Sequence, residues 1–247
     1  MGLFGKSNDD KKLDLFNKGL SLIKLEKYPE AAKYYNEALK IDPNYVDPLM
    51  GLILISTKLE MYPEIILLCD KIIKLFPEGL EAILSNKGFA LMNLKRYDEA
   101  LVCLDEVIRI NPENYGAWIY KGAALINLER YKEALVCLDE ILTINPENLE
   151  VLEDKAVVLV ILERYEEALV CYDDLIRLNP EKQNAKGNIL FDKLQRYEEA
   201  LVCFDEVIRF NPENSDGWYN KGKTLAELGR DDEAKQCFRK ATDLDES

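Results

Sequence analysis

Arg96-Tyr97-Asp98-Glu99-Ala100-Leu101-Val102-Cys103 returns almost unchanged as Arg130-Tyr131 through Cys137, Arg164-Tyr165 through Cys171 and Arg196-Tyr197 through Cys203. Six prolines keep the same time: Pro43, Pro77, Pro112, Pro146, Pro180 and Pro212 are 34, 35, 34, 34 and 32 residues apart. A period of this length marks a stacked repeat architecture. Within one unit Ala100, Leu104, Val107 and Ile108 recur at helical spacing, and Asp98 and Glu99 place acid where the helix dipole favours it. That helix must stop near Asn111, because Pro112 disfavours helical backbone in the residue before it.

The preceding stretch, Ala82 to Leu94, reads as a first helix with Leu84, Leu91 and Leu94 apolar and Gly88 placed for close approach. Two short helices per unit result. Neither can bury its apolar face alone, so each pair must lean on the next.

Composition narrows the function classes. With 48% apolar residues the chain supports a folded core, and no apolar run approaches the roughly 20 residues of a membrane-spanning helix. The N-terminus lacks a secretory apolar stretch, and the expected location is cytoplasmic. Gly2 begins a poor myristoylation pattern, with Lys6 where Ser or Thr is wanted. Thirty-two basic residues against 46 acidic leave −14, which repels phosphate backbones and anionic lipid, so neither nucleic acid nor membrane is an expected partner. Histidine is absent, removing the commonest general base and zinc ligand. No glycine-rich phosphate loop or nucleophile elbow appears, since Gly2-x-x-Gly5-Lys6-Ser7 only partly imitates one and follows no strand. The expectation is a chain that is not an enzyme and needs no cofactor or metal.

Trp118, Lys121-Gly122, Tyr131, Ala134, Leu138 and Pro146 stand at fixed offsets, as do Trp218, Lys221-Gly222, Ala234 and Phe238, with Asp231 in the Tyr place. This pattern resembles the tetratricopeptide repeat, with Lys where Leu is usual before the Gly, a difference expected to matter little. The resemblance implies an all-α, right-handed superhelical solenoid of about seven helix-turn-helix repeats, its inner groove lined by first helices. The expected organisation is a flexible tail, 1–11, and a single array, 12–247, with repeats near 12–45, 46–80, 81–114, 115–148, 149–182, 183–214 and 215–247. In the second repeat, Ile53, Ile65 and Ile72 replace small residues and are expected to push its helices apart. The sixth is two residues short, implying a truncated first helix, and the seventh ends on a polar, self-capping face.

The groove positions read Ser85, Asn86, Phe89, Met92 and Asn93, then Ile119, Tyr120, Ala123, Ile126 and Asn127, then Glu153, Asp154, Val157, Val160 and Ile161. This floor is more apolar than scaffold packing requires, which points to a protein or peptide partner laid along it, an amphipathic helix or an extended segment. A carboxylate clamp of the kind some family members carry is not supplied: Ile119, Ala123 and Asp154 occupy its places, and only Lys182 and Lys186 resemble its last element. A separate stripe, Leu13, Phe16, Leu20 and Ile23, has no evident partner. It makes a homo-oligomer the alternative expectation, unless Leu3 and Phe4 fold back over it.

Two recurrent features invite chemistry. Cys103, Cys137, Cys171, Cys203 and Cys237 share one place in successive second helices, with Cys69 one place later; they are expected to be small buried thiols too far apart to pair. Asp105-Glu106, Asp139-Glu140, Asp173-Asp174 and Asp205-Glu206 are expected to form a solvated acidic ridge, spread too widely for one substrate or ion.

Overall fold

The computed structural model describes residues 7–78 and 80–246, which fold entirely as α-helices, turns and short connectors. Leu3 and Phe4, like the Gly2 and Gly5-Lys6 features, lie outside the described residues. The chain gathers into two compact units, 1–129 and 130–247, although the repeat in the sequence runs unbroken across that junction.

The first unit holds α1 (Asn8–Ile23), α2 (Tyr28–Ile41), α3 (Val46–Lys58), α4 (Tyr62–Leu75), α5 (Glu81–Asn93), α6 (Tyr97–Ile110) and α7 (Tyr115–Asn127). The second holds α8 (Tyr131–Ile144), α9 (Leu149–Ile161), α10 (Tyr165–Leu178), α11 (Gln183–Asp192), α12 (Tyr197–Phe210), α13 (Ser215–Glu227) and α14 (Asp231–Asp245). Ser7 caps α1 reciprocally with Asp10, so helix already covers positions 8–11, which the sequence reading assigns to a tail.

Repeated local chemistry sets the boundaries. In Asn111-Pro112-Glu113-Asn114 the first Asn accepts from the Glu113 amide at 3.2 Å, and the last accepts from the Ala117 amide at 2.9 Å as the cap of α7. Asn148 and Asn214 cap α9 and α13 in the same way. The sixth repeat has Lys182 where the second Asn would stand. There Pro180–Lys182 winds as a 3-10 turn and α11 has 10 residues, against 13 in α9 and α13.

Each first helix ends in a left-handed residue: Glu26, Glu60, Lys95, Glu129, Glu163, Gln195 and Gly229, with φ from 54° to 72°. The amide three places past the helix end reaches back to the carbonyl at its third-last residue, as Arg96 to Leu91 and Arg164 to Leu159, both 2.9 Å. Only the last turn uses the residue type that adopts this backbone freely.

Packing pairs a small residue on the first helix with a large one on the second. A Cβ added to Gly88 would lie 3.1 Å from the Leu104 side chain, one at Gly187 would come within 2.7 Å of Phe204, and one at Gly222 within 2.7 Å of Phe238. Tyr35 is gripped from two sides, since Cβ atoms at Gly19 and Gly51 would lie 2.4 and 2.3 Å from its ring. The second repeat departs by exchange. Ile53 takes the glycine place and Cys69 the place of Leu104, both buried, so volume moves from one helix to the other. Ile65 and Ile72 are also buried, and α3 and α4 keep the 13 and 14 residues of α5 and α6.

Left-handed backbone costs a residue with a side chain about 1–2 kcal/mol, partly offset by the greater chain entropy that glycine loses on folding. Glu163→Gly is therefore expected to stabilise the chain by about 0.5 kcal/mol, and Gly229→Ala to destabilise it by about 1 kcal/mol. Urea unfolding of the two variants checks both signs.

Candidate functional site

The residue just after the packing glycine points along the exposed side of each first helix. In the first unit this row reads Leu20, Leu54, Phe89 and Ala123; in the second, Val157, Asn188 and Lys223. Leu20, Leu54 and Val157 are 40%, 45% and 46% exposed, although packing between helices does not require an apolar side chain there.

In the first unit Phe89 lies 5.7 Å from Tyr120 and 6.0 Å from Tyr62, forming an aromatic row over α4, α5 and α7. Met92 and Tyr120 lean on the core beneath it, and Ile119, Ala123 and Ile126 are half-buried. Asn127 accepts from the Tyr97 hydroxyl at 3.1 Å and donates to its own helix at Ala123. Asn86 and Asn93 likewise turn their amides back onto Ala82 and Phe89. Each of these bonds uses one of the two N–H groups of its amide.

The stripe on α1 needs correcting. Phe16 stacks on Tyr35 and meets Tyr45, both at 5.8 Å, and Ile23 packs against the same core. Leu13 and Leu20 alone of the four are exposed, and Leu20 belongs to the row just described. Two of the four residues thus belong to the interior, and two remain exposed.

In the second unit Val157 and Ile161 of α9 are about half exposed, Val160 is half-buried, and the Asp154 carboxylate reaches solvent one turn away. Burial by its surroundings, then the charges of Glu150 and Glu153, hold the Asp154 pKa above the ordinary aspartate range. Beyond α9 the face turns polar. Asn220 of α13 donates to Asn184 and Asn188 of α11 at 3.2 and 3.3 Å, Tyr219 is exposed, and Lys223 lies 4.6 Å from the Phe191 ring. The sequence reading missed these residues because the shortened sixth repeat shifts the register by two; counting from Gly187 and Gly222 would have found them.

The acidic ridge is exposed to solvent, and most of its acids are also paired. The first acid of each pair reaches the next first helix: Asp105 to Lys121 at 2.7 Å, Asp139 to Lys155 at 2.6 Å, Asp173 to Lys186, and Asp205 to Lys221 at 2.6 Å, with Asp70 to Lys87 at 2.6 Å in the second repeat. Glu106, Asp174 and Glu206 pair with Arg109, Arg177 and Arg209 one turn on. The lysine that replaces the usual leucine thus forms a ladder of staples between successive repeats. Each half-exposed pair contributes no more than about 1 kcal/mol. Of the two lysines that resemble a carboxylate clamp, Lys186 is held in the ladder and Lys182 is held by Glu153 at 2.7 Å. All six cysteines are buried and none is in a disulfide, and burial pushes the Cys69 thiol up to about 12, far from a reactive thiolate. Among the described residues no acid or thiol cluster could hold a metal ion, and no helix is long and apolar enough to cross a membrane.

Tetratricopeptide repeat descriptions match residues 15–45, 82–114, 115–148, 149–182, 187–229 and 215–247. The chain belongs to the tetratricopeptide repeat family. Among curated proteins this repeat chain is similar to Hsp70-Hsp90 organizing protein 3 of Arabidopsis thaliana, 36% identical over 97 residues, and to Hsp70-Hsp90 organizing protein 1 of Glycine max, 35% identical over 97 residues. Both alignments cover 39% of this chain and 17% of the relative, so the chain spans less than a fifth of the length of these relatives. Among solved structures it shares its fold with YrrB, described as a tetratricopeptide repeat protein with an unusual peptide-binding site (TM-score 0.61, 22% identity, 68% of this chain and 86% of that one). It shares it also with MamA (TM-score 0.58, 17% identity, 67% and 92%).

A carboxylate whose folded-state pKa is raised opposes folding once ionised, and the cost fades as pH falls until folded and unfolded chains are both protonated. Asp154→Asn is therefore expected to raise Tm at pH 7, with the gain vanishing below the ordinary aspartate pKa of about 3.9. Thermal melts of the two chains between pH 3 and 7 measure this, and a gain that persists unchanged at low pH would contradict the assignment.

Proposed function

We propose that this tetratricopeptide repeat chain is a non-catalytic interaction scaffold that takes a protein or peptide segment on the exposed face of its first helices. The apolar row after the packing glycine carries the reading. Leu20, Leu54 and Val157 are 40%, 45% and 46% exposed, and covering them removes apolar surface from water at about 25 cal/mol per Å². The aromatic row Tyr62, Phe89 and Tyr120 adds rigid contact area that loses little entropy on binding.

Buried high-pKa thiols, acids held in ion pairs and the lack of histidine offer no activated nucleophile or general base, which supports a role without catalysis. The curated relatives are named as organizers of other proteins and one fold relative is described with a peptide site, in keeping with a binding role. The net charge of −14 is consistent with a cytoplasmic setting away from nucleic acid and anionic lipid.

Twelve-residue peptides selected on the full chain by display provide the test. They are expected to lose at least tenfold in affinity, about 1.4 kcal/mol, with Leu54→Glu or Val157→Glu, and to bind Val102→Glu, altered on an exposed second-helix site, as well as the parent. Equal binding to all four chains would refute the first-helix face as the site.

A further inference from the structure

The first helices carry different residues at the position two before the packing glycine or its equivalent: Asn17, Gly51, Asn86, Tyr120, Asp154, Ala185 and Asn220. Only α9 places an acid there. Glu150, Asp154, Val157 and Ile161 then follow at i, i+4, i+7 and i+11, so one side of α9 passes from two carboxylates to two half-exposed aliphatic side chains.

Four lysines of the second unit are committed elsewhere. Lys182, the lysine nearest this side in the next repeat, holds Glu153 through both carboxylate oxygens at 2.7 and 2.8 Å. Lys155 of α9 reaches back to Asp139, Lys186 of α11 to Asp173, and Lys223 lies over Phe191. The charges that act on Asp154 are those of Glu150 and Glu153, and both disfavour its ionised form. With 16 basic against 27 acidic residues, the second unit carries −11 of the chain's −14, so its long-range field draws in positive segments.

We infer that the α9 face selects a linear protein segment in which a lysine or arginine adjoins apolar residues, the cation seated on Asp154 and the apolar side chains on Val157 and Ile161. The inference rests on the first-helix face being the binding face. A bound cation offsets the repulsion that Glu150 and Glu153 exert on Asp154 as well as forming a new pair, whereas a segment ending in a carboxylate would add a further negative charge. The choice between basic and acidic partners thus follows from this one helix.

The test uses the full chain and three capped twelve-residue peptides with identical leucines and Lys, Gln or Glu at the remaining positions, read by fluorescence anisotropy. The parent chain is expected to rank them Lys, Gln, Glu. Asp154→Asn is expected to shrink the Lys-over-Gln preference about fivefold, and Asp154→Lys to favour the Glu peptide. Asp232→Asn, which removes an equal charge from the exposed start of α14, should leave the preference unchanged. Equal effects of Asp154→Asn and Asp232→Asn, or none from either, would overturn the cation seat. If Val157→Glu still abolished binding of the Gln peptide in that case, the apolar face would stand without its charge selectivity. Binding of all three peptides untouched by Val157→Glu would remove both readings together.

Discussion

A small residue on one helix facing a large side chain on the next is the constraint from which the rest of this structure follows. Gly88 under Leu104, Gly187 under Phe204 and Gly222 under Phe238 let two helices approach until the large group fills the space that a Cβ would occupy. Tyr35, held between Gly19 of its own repeat and Gly51 of the next, shows the same contact joining neighbours. A helical pair of some 30 residues has too little interior to fold alone, and these contacts give it a neighbour's interior instead. What must be kept is combined volume rather than residue identity, which is why Ile53 with Cys69 can stand where Gly88 with Leu104 stands one repeat later.

Charge is organised around that packing. The Asp-to-Lys staples join successive repeats at the edge of the interior, where the lysine stems cover apolar surface and the ammonium groups reach a carboxylate. Their energies are small, but their regular placement fixes which acids remain to act on a partner. Many of the acids are therefore paired within the fold, while the net excess of 14 negative charges remains. Asp154 is set apart because its surroundings raise its pKa instead of pairing it. On the proposed reading, an apolar face bordered by this carboxylate gives the repeat its selectivity.

Helix boundaries and the repeat were legible in the sequence because they are local. Asn-Pro-Glu-Asn loops, acid at helix starts and a 34-residue rhythm act within a few residues, and Pro112, Asn114 and Asp98 reveal them directly. Val157 and Ile161 of α9 could also be placed on one face by counting along the helix. Contacts between repeats were not legible in that way. The role of Lys121 depends on Asp105, and the exchange of Ile53 with Cys69 depends on which positions face each other across a helix pair. Phe16 reads as an unpartnered apolar residue until Tyr35 and Tyr45 close on it from another helix and the loop beyond. Asn184, Asn188 and Asn220 were hidden by the two-residue deletion, which breaks the count that found their counterparts.

The central claim is that neighbours, not single helical pairs, supply the fold. Far-UV circular dichroism of the isolated segment 82–114, compared with the full chain across a thermal melt, tests it most directly. The expected result is a largely unfolded segment with no cooperative transition beside a full chain that melts cooperatively. A segment that is helical by itself and melts cooperatively near the temperature of the full chain would contradict it.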